Sequence, residues 1–516
     1  MVPKQRLILF VSVIVAVTLA CQSNINPIPS PIAEPTKPTV RYIPSAKVPE
    51  AVNVVEPMLP PGFLEDPNAV CAIHQTNHAL SCLNKNGWQV YDSDVPTLIA
   101  PCPDGRMYLK IGNQLYLYKN QTFIEAIKPD LMYNAYLYSL ACGPGDEFWA
   151  WDSTGLYIRH FDGNAWKHYL AREVLGGFLS SANTKIVVAP NGNLWVTTDG
   201  GIVRFDGTDW QIFEKGKGLE EATYPRVLIL DANGSAWGLI GGRSYSSLGS
   251  NPNPHDLADT NKGLPYKLLK YDGTHWTTIP VPDGFDPEFI TLDHANKIWL
   301  IGMDGPSDST LTAFYTLFYT FDSQTNDWAL QAKEDRFSKR PISDVQFDGQ
   351  DRLWVATNYG LDFYDGSTWI TYRMDNANLY ANSADEIIIL GNGPKPPAPT
   401  PKAPGSVSGK FVDPNSTKSY AGLQVEICLK PETAFVPGVS PCANQAYHAL
   451  TNMDSDGNFL FTGIPAGNYY LAIQNSSDAW GIMVASSSPN VTGLEFDVYP
   501  GEVTQLGQIT YSPIEK

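Results

Sequence analysis

The sequence lacks the short motifs that identify the common catalytic and metal sites. It contains no C-x-x-C pair, no H-E-x-x-H segment, no G-x-S-x-G turn and no phosphate-binding loop. Their absence argues against a cysteine-based zinc site, a zinc protease, an α/β-type serine hydrolase and a nucleotide-binding enzyme. We therefore predict no metal and no cofactor.

The chain also has little positive charge. Its 35 lysine and arginine residues stand against 53 aspartate and glutamate residues, which gives a formal net charge of -18 and a pI near 4.8. Such a surface repels phosphate backbones and anionic lipid headgroups. We expect no nucleic-acid partner, and we consider a glycan, a peptide or a surface protein instead.

A hydrophobic run is found at the N-terminus, where Lys4 and Arg6 precede the apolar residues Leu7 to Ala20. These 14 residues are too few to span a bilayer, which requires ~20. The pattern is typical of a secretory signal peptide, which we assign to residues 1–20.

The end of this signal, Thr18-Leu19-Ala20-Cys21, resembles a bacterial lipobox, in which the peptide is cut before the cysteine and the new terminus receives lipid. Thr18 departs from that pattern, which usually has leucine there. The resemblance implies that Cys21 is lipidated and that lipid alone holds the exported protein on the extracytoplasmic side of a bacterial membrane. An ordinary cleaved signal is the alternative.

Residues 21–62 contain ten prolines, from Pro27 to Pro61, and little periodic hydrophobicity. Such segments favour an extended polyproline conformation. At ~3.1 Å per residue, ~40 residues would reach up to ~120 Å. We predict a tether between the anchor and the folded body.

The six cysteines other than Cys21 form an even set in an exported chain, which predicts disulfides. Two pairs follow from local sequence because each brackets one hairpin or loop, whereas the pairing of the third stays open. The pairs are Cys71 with Cys82, Cys428 with Cys442, and Cys102 with Cys142.

The segment FDGTDW, from Phe205 to Trp210, recurs along the chain. Aspartate and glycine favour a tight turn, which places Phe205 opposite Trp210 on two antiparallel strands. Related segments are HFDGNAW (160–166), KYDGTHW (270–276) and FYDGSTW (363–369).

A second pattern precedes these hairpins and consists of a buried strand, a turn of Asn, Asp and Gly, and a strand with a tryptophan near its start, as in residues 187–201 and 345–360. One repeat thus codes for four strands. Its last strand begins with an aromatic residue at 88, 123, 166, 210, 276, 328 and 369, and copies without insertions repeat every 41 to 44 residues. This is the length of a propeller blade. We predict an all-β fold with a seven-bladed β-propeller at residues 63–393; six or eight blades are the alternatives.

The two ends of this region predict how the ring closes. Residues 384–393 resemble the innermost strand of a further blade without partners, and residues 68–91 supply three strands without an inner one. We expect Ile387 to Leu390 to pair with the strand around Ala69 to Ile73, which would remove the free edges.

The repeat, "G-I/L-x-x-F/Y-D-G" after "G-x-L-W-V-x-T", resembles the two-component-regulator propeller family of bacterial sensor proteins. The resemblance covers about residues 64–393 and is clear in the blades that contain Trp166, Trp210 and Trp369. The family implies an extracytoplasmic sensor. No spanning helix, kinase or DNA-binding region follows the propeller here, so we expect no signalling output within this chain.

A Pro-rich linker at residues 394–404 precedes a small β-sandwich at 405–516, which is predicted from alternating strands and Gly turns. The segments at 407–412, 421–425, 454–459 and 465–469 resemble the carboxypeptidase regulatory-like, transthyretin-like domain, which implies a non-catalytic folding or binding unit. We interpret DSDGN, residues 454–458, as a turn and not a calcium loop, because the other calcium ligands are missing.

Two repeats contain insertions between their second and third strands, at residues 243–265 and 303–313. Both would emerge on one face from adjacent blades, although tolerated surface loops are the simpler interpretation. Their polar side chains are our ligand-binding candidates. They are Arg243, Tyr245, Asn251, Asn253, His255, Asp256, Asp259, Asp304 and Asp308.

Without a catalytic spacing, the sequence favours a non-catalytic surface lipoprotein that acts in binding, as a sensor or as a scaffold component. A propeller lyase or hydrolase with its site on the inserted-loop face is the alternative. That enzyme would require His255, Asp256 or Asp259 to converge with Asp304 and Asp308.

Overall fold

A computed structural model describes residues 42–44, 66–74, 79–92, 96, 98–102, 104–111, 114–119, 122–127, 137–152, 157–175, 186–198, 201–219, 227–242, 264–304, 315–337, 340–412, 419–429, 440, 442, 445–476, 479–482 and 495–510. Cys21 and most of the predicted tether lie outside this part of the chain. Among the described residues, no helix has the length and apolarity needed to cross a bilayer.

The first strand, β1 (Tyr42–Pro44), lies in the predicted tether, and three strands of blade 1 follow it: β2 (Val70–His74), β3 (Ala79–Asn84) and β4 (Gly87–Tyr91). Blade 2 consists of β5 (Leu98–Pro101), β6 (Met107–Ile111), β7 (Gln114–Lys119) and β8 (Thr122–Ile127). Blade 3 consists of β9 (Leu137–Cys142), β10 (Phe148–Asp152), β11 (Tyr157–Phe161) and β12 (Trp166–Leu170), and the short helix α1 (Ala171–Val174) follows it.

Blade 4 consists of β13 (Ile186–Val188), β14 (Leu194–Thr198), β15 (Gly201–Phe205) and β16 (Trp210–Lys215), with the added strand β17 (Gly218–Leu219). Blade 5 consists of β18 (Val227–Leu230), β19 (Ala236–Gly242), β20 (Leu264–Tyr271) and β21 (Trp276–Pro280). Blade 6 consists of β22 (Phe285–Leu292), β23 (Ile298–Asp304), β24 (Thr316–Asp322) and β25 (Asp327–Glu334). Blade 7 consists of β26 (Ile342–Phe347), β27 (Leu353–Thr357), β28 (Gly360–Tyr364) and β29 (Trp369–Tyr372).

The ring closes as the sequence predicts. The strand β30 (Glu386–Ile389) pairs antiparallel with β2, with Ile389 opposite Val70 and Ile387 opposite Ala72. The predicted hairpin is also confirmed, because Phe205 lies opposite Trp210. Blade 1 is therefore built from both ends of the propeller, and the ring has no open blade edge at this seam.

Hydrophobic clusters join each blade to the next. Seven such clusters connect blades 1 and 2, 2 and 3, and so on around the ring, and the last connects blade 7 to blade 1. In that last cluster Val70 and Ile387 pack with Trp354, Leu361 and Phe363. Because every blade buries both of its faces, the propeller core is one closed belt of apolar contacts.

The antiparallel order gives the ring two unlike faces. The tight turns from first to second strand and from third to fourth strand share one face, which we call the turn face. The connections from second to third strand and from blade to blade share the other, which we call the loop face. Each blade thus sends its variable segments to the same side of the ring.

Part of the predicted tether is bound to the propeller. β1 pairs antiparallel with β12, so that Tyr42 lies opposite Tyr169 and Pro44 opposite Lys167. The outermost strand of a blade has backbone N–H and C=O groups that are free to accept another strand. Residues 42–44 therefore extend blade 3, whereas the sequence predicted a free tether through residue 62.

The C-terminal region is a β-sandwich of two sheets. One sheet contains β31 (Gly405–Val412), β34 (Asn458–Ile464) and β38 (Val503–Thr510). The other contains β32 (Gln424–Cys428), β33 (His448–Asn452), β35 (Gly467–Ser476), β36 (Ala479–Ile482) and β37 (Glu495–Val498).

The Pro-rich linker before the sandwich is held against blade 7. The Tyr372 hydroxyl donates a hydrogen bond to the Pro397 carbonyl at 2.6 Å, and the Thr400 amide donates to the Asn376 carbonyl at 2.8 Å. The chain leaves β30 on the turn face, passes Tyr372 and reaches the loop face at Asn376. The linker thus brings the sandwich to the loop face.

All six paired cysteines form disulfides in the structure. The bond between Cys71 and Cys82 lies within blade 1, and the bond between Cys428 and Cys442 lies within the sandwich. The bond between Cys102 and Cys142 joins blades 2 and 3. Disulfides are typical of exported proteins.

Candidate functional site

Both insertions leave the ring at the loop face. The first insertion lies between β19 and β20, and the second lies between β23 and β24. The two strands on either side of each insertion pair with one another. They therefore belong to adjacent blades and to one face, as the sequence predicts. Most of the candidate residues in them lie outside the described chain, namely Arg243, Tyr245, Asn251, Asn253, His255, Asp256, Asp259 and Asp308.

Asp304 is the candidate that the structure describes, and it closes the base of the second insertion. Its Oδ1 accepts a hydrogen bond from the Tyr315 amide at 2.8 Å, and its Oδ2 accepts one from Lys333 Nζ at 2.9 Å. Burial raises the pKa of Asp304, but these hydrogen bonds and the Lys333 charge outweigh it and lower the pKa overall. Asp304 is thus engaged in holding the loop stem.

Next to this stem, three arginines meet beside blade 7. Arg336 and Arg340 belong to the connection from β25 to β26, and Arg373 directly follows β29. Tyr359 lies in the turn between β27 and β28, and Asp362 lies in β28. We call these five residues the arginine cluster. Sequence reasoning missed it because four separate segments contribute and none carries a motif.

Asp362 is the buried centre of the arginine cluster, with a fully covered side chain. Its Oδ1 accepts a hydrogen bond from Thr371 and lies 3.8 Å from Arg336 Nη1 and 3.9 Å from Arg340 Nη1. Its Oδ2 has no hydrogen-bond partner among the described residues. Burial raises the pKa of Asp362, and Thr371 and the arginines oppose the rise.

Tyr359 connects the arginine cluster to the sandwich. The guanidinium of Arg340 lies 4.6 Å from the Tyr359 ring centre, and that of Arg373 lies 4.8 Å from it. Arg373 Nη1 also donates a hydrogen bond to the Tyr359 hydroxyl at 2.8 Å. The ring is buried in the sandwich core beside Val407 and Phe461. The sandwich therefore covers one side of the cluster.

Two of the three arginines are each hydrogen-bonded to a nearby carboxylate. Arg336 Nε donates to Glu334 at 3.1 Å, and Arg373 binds Asp375 with two hydrogen bonds of 3.0 and 2.9 Å. The Arg340 guanidinium donates no hydrogen bond to another described residue, and 22% of its side chain is exposed. Arg340 is thus the member of the cluster whose five N–H donors make no hydrogen bond to another described residue.

A buried serine–histidine pair lies elsewhere, at the loop-face end of blade 1. His74 Nε2 lies 2.8 Å from Ser81 Oγ, which also accepts a hydrogen bond from the Tyr380 amide, and His74 Nδ1 contacts the Ser383 carbonyl. Burial lowers the pKa of His74. Because both side chains are buried and fully bonded, they hold the closing segment and do not form an open catalytic pair.

The aspartates of the repeat are used in turns on the turn face. Asp231 Oδ2 accepts the indole N–H of Trp237, and Asp293 and Asp348 do the same for Trp299 and Trp354. The hairpin aspartates, such as Asp206, accept backbone N–H groups of their own turns.

Asp454 in the DSDGN segment plays the same part in the sandwich. Its carboxylate accepts the amides of Asp456 and Asn458, which makes this segment the predicted turn. No metal-binding group of His, Cys, Asp and Glu side chains is found among the described residues.

No protein-family model and no curated protein matches the sequence. Among solved structures, a catalytically inactive variant of virginiamycin B lyase from Staphylococcus aureus is 13% identical, covers 62% of this chain and 96% of its own, and has a TM-score of 0.37. The extracellular domain of BT4673 from B. thetaiotaomicron, assigned to a one-component system, is 12% identical, covers 85% and 69%, and has a TM-score of 0.33. A Bacteroides uniformis protein assigned as a 6-phosphogluconolactonase is 13% identical, covers 63% and 97%, and has a TM-score of 0.38. With TM-scores this low, the fold rests on the strand pairing of this chain itself.

Proposed function

We propose that this protein is an exported lipoprotein, anchored through Cys21, whose propeller binds a ligand on its loop face without catalysis. Its resemblance to the two-component-regulator propellers supports a role as an extracellular sensor or scaffold component. Its sandwich resembles the carboxypeptidase regulatory-like domain, which supports a non-catalytic part for that unit as well.

The observation that carries the proposal is the difference between the two faces. The turn face consists of short turns whose aspartates are bonded to their own amides and indoles. The loop face is where both insertions leave the ring and where the arginine cluster and the sandwich lie. Polar groups with unused hydrogen-bonding capacity, namely Arg340 and Asp362, occur there. Recognition surfaces commonly combine variable loops with a rigid scaffold of this kind.

The candidate ligands are a glycan, a peptide and a surface protein. The second candidate function is a lyase or hydrolase. Its catalytic residues would come from the insertions, namely His255, Asp256, Asp259 and Asp308. Asp304 is the member of that set whose contacts are described, and it is engaged by Tyr315 and Lys333. This engagement favours binding over catalysis.

The test uses the soluble fragment from residue 42 onward, which keeps β1 on blade 3, immobilised for a glycan array and for capture of surface proteins and peptides. We expect saturable capture of one ligand class, with the ligand recovered chemically unchanged. Recovery of a cleaved or eliminated product would favour the enzyme. Absence of capture in every class would contradict the binding role.

A further inference from the structure

The guanidinium of Arg340 is placed close to a carboxylate without forming a hydrogen bond to it. The carboxylate oxygen of Asp362 nearest to it lies at 3.9 Å, beyond the ~2.7–2.9 Å of a charge-assisted hydrogen bond. Its two neighbouring arginines are bound to Glu334 and Asp375 at 3.1 Å or less. A guanidinium has five N–H donors, and in Arg340 none of them meets an acceptor among the described residues.

The surroundings of Arg340 fix its orientation without using these donors. Its guanidinium lies 4.6 Å from the Tyr359 ring centre, which holds the planar group by its face and leaves its edges available. Tyr359 is itself held by the sandwich core and by Arg373. The donor edge is therefore preorganised, which reduces the entropy lost when a ligand binds.

The distribution of counter-charges leaves Arg340 the arginine that is least well paired. Three guanidinium groups are matched by the carboxylates of Glu334, Asp375 and Asp362. Asp362 is fully covered and its Oδ2 is unpartnered, so it is the weakest of these three counter-charges. Asp362 is also shared, at 3.8 Å from Arg336 and 3.9 Å from Arg340, so Arg340 has the weakest counter-charge and can accept an anionic group from the solvent side.

We propose that Arg340 anchors a subsite on the loop face that binds a carboxylate group of the ligand. A planar carboxylate matches two parallel N–H groups of a guanidinium, a geometry that a lysine cannot offer. This subsite rests on the proposed binding role of the loop face and specifies one chemical group that the ligand must have. Tyr359 positions Arg340, Asp362 competes for its charge from the buried side, and neither residue contacts the ligand.

The experiment uses the mature full chain in detergent, titrated with sodium glutarate at constant ionic strength and followed by calorimetry. Inorganic phosphate and sodium chloride are titrated in parallel. The variants are Arg340→Ala, Arg340→Lys and Asp362→Asn, with Arg172→Ala, an exposed arginine of α1, as the matched control. Thermal melting confirms that each variant is folded.

We expect glutarate to bind saturably and more tightly than phosphate, with at least a tenfold loss for Arg340→Ala and a smaller loss for Arg340→Lys. Asp362→Asn removes the competing carboxylate and should tighten binding, whereas Arg172→Ala should leave it unchanged. Equal binding by Arg340→Ala and the original protein, tighter binding of phosphate, or no saturable binding of glutarate would overturn the subsite.

The array capture separates this subsite from the function as a whole. If the original chain captures a ligand and Arg340→Ala captures it equally well, the subsite is wrong and the binding role stands. If the original chain captures nothing, the binding role itself fails.

Discussion

Ile389 lies opposite Val70 in one antiparallel ladder, although these residues stand at the two ends of the propeller sequence. The Asp385 amide and the Leu390 amide extend the same ladder by hydrogen bonds of 2.9 and 2.8 Å to the Ile73 and Ala69 carbonyls. The fold therefore depends on a contact that forms only when the whole propeller has been made.

Removing the closing strand should destabilise the ring severely. A fragment of residues 63–383 loses β30, whose Ile387 and Ile388 are buried, and burying two such side chains contributes ~3–6 kcal/mol. This is a large share of the ~5–15 kcal/mol that a domain has in total. The control is residues 63–393, which keep β30 and lack the sandwich. Equal melting of the two fragments would show that closure is not required.

Blades 5, 6 and 7 each use an aspartate to bind the indole N–H of their tryptophan, and blade 4 lacks this aspartate. Asp231 accepts the indole N–H of Trp237 six residues later at 3.0 Å, whereas Ala189 stands six residues before Trp195, whose indole nitrogen has no partner. The Ala189→Asp substitution should supply the acceptor and stabilise the protein by ~1 kcal/mol. Denaturant unfolding measures this. A loss of stability would mean that blade 4 cannot accommodate the carboxylate.

The stability of the propeller should fall in mild acid because of His160. This ring stacks on Trp149 at a centroid distance of 4.0 Å, and burial, assisted by the Lys167 charge, lowers the pKa of His160 to about 4. The unfolded chain has a histidine pKa of ~6.5 and so binds the proton first as the pH falls. The stabilisation is complete above pH ~6.5 and is lost as the pH falls towards about 4, by up to ~3 kcal/mol.

Unfolding curves of the original protein and of His160→Gln, recorded from pH 7 to 4, measure this contribution. Carboxylates titrate in both, so the difference between them isolates the histidine. A difference that does not change with pH would contradict the assignment.

Cys21→Ala should release the exported protein from membranes, because the proposed anchor is lipid on this side chain and not a spanning segment. Fractionation followed by detection of the sandwich measures it, with Cys71→Ser and Cys82→Ser together as the control that keeps the lipid site. A Cys21→Ala protein that stays in the membrane fraction would contradict lipid anchoring.

Much of the fold is readable from the sequence because its information is local. The hairpin turn between Phe205 and Trp210 and the tryptophan of the second strand recur at nearly constant spacing, so strand order and blade number follow. The closing pair of β2 and β30 could be predicted because each segment lacked its partner. The pairing of Cys102 with Cys142 could not, since it depends on how two blades meet.

The site is harder to predict from the sequence than the fold, because its residues come together only through tertiary contacts. Arg340 and Tyr359 come from different connections, and nothing in their local sequence indicates that they stack. The attachment of β1 to blade 3 depends on a backbone edge, which leaves no side-chain signal. Asp304 appeared in the sequence as a free polar residue of an insertion, whereas the structure uses it to close the stem of that loop.

Replacing residues 243–263 with a short Gly/Ser turn tests the recognition role of the loop face most directly. The measurement is the affinity of the soluble fragment for the ligand captured by the unmodified protein. The control inserts the same Gly/Ser segment between Gly207 and Thr208 on the turn face. We predict that the loop replacement leaves the melt nearly unchanged and abolishes binding, while the control binds normally. Capture at full affinity after the replacement would contradict the account and place the site elsewhere.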